Sequence, residues 1–110
     1  MRVPFKSRYT PESIYILESS FYPNQRTALV LRTLDNEPQA ILTLNIPSVA
    51  LTCDEVVIKD YSENEGTLQA LINAGIVQPP HRHVASGFVI HPICLLTEKA
   101  KEGLSEDSTL

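Results

Sequence analysis

VVIKDYSENEGTLQALINAG, Val56–Gly75, decides how this chain is read, because two periodicities meet inside it. At its start Val56 and Ile58 alternate with Val57 and Lys59, the two-residue repeat of a β-strand. Towards its end Leu68, Leu71 and Ile72 fall at i, i+3 and i+4, the stripe of an amphipathic helix, and Gly75 stands where a glycine closes a helix. Between the two, Ser62-Glu63-Asn64-Glu65 matches the capping box S-x-x-E, in which a serine oxygen takes the amide three residues on and the glutamate reaches back to the serine amide. The pattern predicts a helix over residues 63–74, with an acidic first turn that complements the positive end of its dipole.

Working outward, the preceding segments read as strands joined by short turns. SIYILESSFY, Ser13–Tyr22, is rich in β-branched and aromatic residues and stops at Pro23-Asn24-Gln25, a turn sequence. RTALVLRTL returns from it, Asp35-Asn36-Glu37-Pro38 turns again, and QAILTLNIP follows as a third strand that sets Leu42, Leu44 and Ile46 against Ile41, Thr43 and Asn45. DEVVIKDY is the fourth. Beyond the helix, Gln78-Pro79-Pro80 breaks the chain, and SGFVI and ICLLT read as strand material that His91-Pro92 should kink or push to an edge. The expected fold is therefore α+β: an antiparallel meander of about four strands, then one helix and a further C-terminal strand or hairpin. Residues 1–12, with Pro4 and Pro11 among basic residues, read as an extended arm or short edge strand; residues 13–97 as a single domain; and residues 98–110 as a polar tail, a short helical turn passing into disorder.

The 110 residues suit one core, and 43% hydrophobic with 20% charged residues is an ordinary globular balance. A bilayer span would need about 20 consecutive apolar residues, and each apolar run here meets a charge or a proline first. The basic start has no apolar stretch behind it, so a cytoplasmic protein is expected. Cys53 and Cys94 form no C-x-x-C pair, which points to buried free thiols, with a disulfide left open.

Charge is uneven along the chain. Residues 1–32 carry Arg2, Lys6, Arg8, Arg26 and Arg32 against Glu12 and Glu18, a surplus of three positive charges. Residues 33–65 carry seven carboxylates against Lys59 alone, a surplus of six negative charges in a chain of net charge −4. An acidic middle repels phosphates, which argues against direct nucleic-acid binding and suits a basic partner.

Chemical motifs are sparse. His81 and His83, two apart on an extended chain, together with His91, are the weak set for a metal site, which needs three or four convergent ligands. Asp60, Glu63 and Glu65 resemble paired catalytic acids, yet no apolar pocket is evident to raise a carboxyl pKa, and their spacing departs from a calcium loop. No glycine-rich phosphate loop or nucleophile elbow occurs.

TLNIP at Thr43–Pro47, KDYSENEG within Val56–Val77, and YPNQRTALVL at Tyr22–Leu31 together resemble a family of uncharacterised small proteins of bacterial phages and mobile elements, marked by N-x-P followed by K-D-Y-S-E-N-E-G. The resemblance covers about half of the chain and carries no catalytic residue. What it implies is a protein that binds and blocks host machinery, of the anti-CRISPR or anti-restriction type. The expected function is thus non-enzymatic binding, without a cofactor, to a basic protein, for instance a nucleic-acid-binding host protein. The expected contact residues are Asp54, Glu55, Asp60, Tyr61, Glu63, Asn64 and Glu65. The alternative is a metal-binding module or small metal-dependent enzyme built on His81, His83 and His91. Homodimerisation through an exposed strand edge is a further expectation.

Overall fold

The computed structural model describes residues 1–108, except for the side chains of residues 106–108. Five strands come first: β1 (Arg2–Phe5), β2 (Ser13–Phe21), β3 (Thr27–Arg32), β4 (Pro38–Ile41) and β5 (Thr43–Leu44). They are followed by β6 (Glu55–Ile58), a 3-10 turn (Ser62–Asn64), α1 (Thr67–Asn73), β7 (Arg82–Ser86), β8 (Val89–Leu95) and α2 (Glu98–Ser108). The fold is α+β. All strand pairs are antiparallel and form two four-stranded sheets, ordered β1-β2-β3-β4 and β5-β6-β8-β7.

The expected single meander is divided because its third strand changes sheet. QAILTLNIP alternates without a break, but at Leu42 the chain leaves β3 and joins β6: the Leu42 amide donates to Leu29 O, and Leu42 O accepts from the Lys59 amide, both at 2.9 Å. Leu42 is fully buried at this crossing. One core serves both sheets, with Phe5, Tyr15, Leu17, Leu29 and Leu31 from the first packed with Val56, Ile58 and Cys94 from the second. Each fully buried leucine here contributes roughly 1.5–3 kcal/mol.

The helices close this core. Leu71 and Ala74 come from α1 and its end, and Gly75 takes φ 73°, as expected for a C-terminal glycine. The start of α1, however, lies further along than the capping box implies. Ser62 sits at φ 55° in the left-handed region and begins only the 3-10 turn, while Gly66 is the residue that caps α1. The charged tail is also more ordered than its polarity suggests: Glu98–Ser108 is helical and buries Ala100 and Leu104, whereas residues 109 and 110 lie outside the described residues. Within the expected arm, Arg2–Phe5 forms the edge strand of the first sheet and buries Val3 and Phe5.

His91-Pro92 does not interrupt β8. Ser86 and Val89 flank the two-residue turn Gly87-Phe88, so in the alternation of an antiparallel hairpin they form a hydrogen-bonded pair, as do Val84 and His91. Pro92 therefore directs its nitrogen away from β7 towards β6, whose pairing with β8 ends one residue earlier at Val57↔Ile93. The missing N–H thus costs no ladder bond.

Candidate partner-binding surface

The KDYSENEG loop, Lys59–Gly66, leaves the end of β6 and is fixed by its own polar side chains. Asp60 Oδ1 accepts the amides of Gly66 at 3.1 Å and Leu68 at 2.9 Å, so Asp60, not Ser62, supplies the side-chain cap of α1. Asn64 is buried and donates from Nδ2 to Ile41 O at 2.7 Å, tying the loop to the edge of β4. The Tyr61 ring stacks obliquely on His91, with centroids 5.4 Å apart, and the Lys59 ammonium lies 5.8 Å from the centre of the same ring.

A second set of contacts joins the loop to the segment after β1. The Arg8 amide donates to Glu65 O at 2.9 Å, and its guanidinium meets the Glu65 carboxylate at 2.5 Å. Gly66 completes the junction at φ 95°, where a side chain would be strained, and a Cβ would stand 3.2 Å from the Arg8 nitrogen and 3.3 Å from Ser7 Cα. Between Tyr9–Thr10, Gln39–Ile41, Lys59 and Glu63–Asn64 lies a shallow cleft of about 360 Å³. Tyr9 is 60% exposed and Ile41 57%, so the rim carries apolar surface beside the Lys59–Glu63 ion pair. Composition gave no hint of these two residues: Tyr9 lies in an aperiodic basic stretch, and Ile41 alternates like its neighbours.

The acidic block does not form one patch. Asp54 and Glu55 stand at the start of β6, whereas Asp60, Tyr61, Glu63, Asn64 and Glu65 follow its end. Each carboxylate also has a local partner. Asp54 meets Lys101 at 3.2 Å, Glu63 meets Lys59, Glu65 meets Arg8, and Asp60 is occupied by amides. Glu55 is buried and held by Arg82 at 3.0 Å, by the Thr52 amide at 2.8 Å and by His81 Nε2 at 2.6 Å.

The electrostatics follow from these contacts. The Arg82 hydrogen bond, aided by the Thr52 amide, holds the Glu55 carboxyl down at about 2, and the Lys59 hydrogen bond holds Glu63 at about 2. A general acid at neutral pH needs the opposite shift, so both groups are fixed anions. Cys94 is buried, and desolvation, reinforced by the charge of Asp60, pushes its thiol up to about 11; Cys53 is exposed, and both cysteines are free.

The three histidines take separate positions. His81 pairs with Glu55, His83 is exposed on β7, and His91 is buried on β8 against Tyr61, with its Nδ1 lacking a hydrogen-bond partner. Among the described residues no group of three or more His, Cys, Asp or Glu side chains is placed to hold a metal ion. No helix among them is long and apolar enough to cross a membrane. Compared with protein-family models, with curated proteins and with solved structures, the chain matches none of them.

Proposed function

We propose that this chain is a small non-enzymatic binding domain that engages a basic protein surface through the Lys59–Gly66 loop and the cleft beside it. The observation that supports this reading is the combination of exposed apolar side chains at the cleft, Tyr9 and Ile41, with carboxylates that stay accessible: Glu63 in the cleft is 63% exposed, and Glu65 further along the loop 50%. Interfaces are enriched in aromatic side chains and carry their polar groups at the rim, and a rigid support favours binding.

Glu63 and Glu65 are paired at rest with Lys59 and Arg8, so their attraction for a partner comes from exchange of ion pairs and not from a bare acidic field. Exposed pairs contribute only about 0–1 kcal/mol, so an incoming arginine that grips a carboxylate with both nitrogens can displace them. Asp54 and Glu55 lie too far along β6 to share this contact and belong to the scaffold. The resemblance to phage and mobile-element proteins suggests the class of partner, a host protein that handles nucleic acid, and with it an inhibitory, anti-defence role.

Affinity purification from the native host tests the reading, with the wild-type chain and two variants as baits: Glu63→Lys with Glu65→Lys, and Tyr9→Ala with Ile41→Ser. Circular dichroism establishes that each variant is folded. A basic protein retained by the wild type and lost from both folded variants is the expected result. Equal recovery on all three baits overturns the assignment.

A further inference from the structure

Each of the two sheets has two edges, and three of these four edges are protected against strand addition. In β1, Pro4 interrupts the row of donors. β4 starts at Pro38, and Asn64 occupies Ile41 O. β5 is two residues long, and Tyr22 Oη donates to Thr43 O at 3.1 Å. β7 has none of these devices: its sequence RHVAS contains no proline or lysine, its register with β8 is regular, and among the described residues no side chain from elsewhere is placed on its backbone. Beside it stand the most exposed large apolar residues among the described residues, Phe88 at the hairpin tip and Ile90.

We infer that β7 pairs with β7 of a second copy of this chain, antiparallel and centred on Val84, joining two four-stranded sheets into one of eight strands. The argument is geometric. Because Val84 forms a hydrogen-bonded pair with His91, the flanking residues His83 and Ala85 direct their N–H and C=O groups outward. A two-fold axis at Val84 sets His83 opposite Ala85 of the second copy and Ala85 opposite its His83, so the outward groups of each strand meet those of the other. A two-fold contact requires such self-complementarity.

The side chains agree with this register. Val84 meets Val84 at the axis. Arg82 comes opposite Ser86, with no like charge facing it, and its guanidinium is already held by Glu55. Ile90, level with Ala85 across the hairpin, falls into one row with His83 and Pro92 of the second copy, on the same face of the joined sheet. Continued past the strand end, the register carries the Gly87-Phe88 tip alongside His81 of the second copy.

Sedimentation across a concentration series tests the pairing, together with amide hydrogen exchange. The wild-type chain is expected to pass from the mass of one chain to that of two as concentration rises, with the His83 and Ala85 amides slowing in parallel. Ala85→Pro removes one outward donor and leaves the bonds to β8 untouched, so it should stay folded and sediment as one chain at concentrations where the wild type is paired. A wild type that remains a single chain up to millimolar concentration overturns the proposal, as does a dimer in which both amides exchange freely. If Ala85→Pro does not fold, the two amides in the wild type decide the question alone.

Discussion

One oxygen of the Asp60 carboxylate receives the amide of Leu68 at 2.9 Å, spanning the loop that Asp60 begins. The same oxygen takes the Gly66 amide, so a single side chain organises the entrance to α1. Asp60→Ala should therefore cost about 0.5–2 kcal/mol, whereas Ser62→Ala, which removes no cap, should stay within about 0.5 kcal/mol of the wild type. Urea unfolding of both variants checks this, and equal losses would return the cap to Ser62.

Glu55 makes stability depend on pH in a stated direction. Its carboxyl sits at about 2 in the folded chain against an ordinary 4.5, so the unfolded chain binds the proton more readily. The contribution of Glu55 is complete above the ordinary value and declines as pH falls towards 2. The difference in unfolding free energy between the wild type and Glu55→Gln should accordingly shrink between pH 5 and pH 2. A constant difference would mean that Arg82 and His81 do not hold the carboxylate.

Arg26 binds the loop after β5 by its carbonyls, donating to Ile46 O at 2.7 Å, to Pro47 O at 3.4 Å and to Val49 O. Hydrogen bonds to a charged group contribute about 1.5–3 kcal/mol, the loss expected for Arg26→Ala. Lysine keeps the charge without the planar fork, so Arg26→Lys should recover only part of that loss. Full recovery in denaturant titrations would show that charge alone matters.

The two thiols should differ in reactivity. Native protein treated with iodoacetamide at neutral pH is expected to gain one adduct, on exposed Cys53, and a second only in denaturant, because Cys94 is buried and its thiol lies at about 11. Two adducts on the native chain, seen by intact-mass measurement, would contradict the buried position of Cys94.

Periodicity located most of the elements: the hairpin strands around Pro23–Gln25, the strand at Val56–Ile58 and the helix containing Leu68, Leu71 and Ile72 all lie where apolar spacing puts them. The sheet change at Leu42 left no such mark, since an alternating run reads the same whether its two halves pair with one neighbour or with two. The cap was misassigned for a related reason. S-x-x-E is a local pattern, whereas Asp60 reaches the Leu68 amide across eight residues, a distance only the folded loop closes. Charge counting placed seven carboxylates in one block but could not see that Arg8, Arg82 and Lys101 arrive from three other places to meet Glu65, Glu55 and Asp54, or that Lys59 within the block pairs with Glu63.

The crossing at Leu42 also bears on how the molecule comes apart. Its N–H belongs to the ladder of one sheet and its C=O to that of the other, so neither sheet can shed this residue without pulling on its neighbour. The amides of Leu42 and Lys59 should then open only with the whole molecule, at one common free energy, and the two halves should melt as a single cooperative unit.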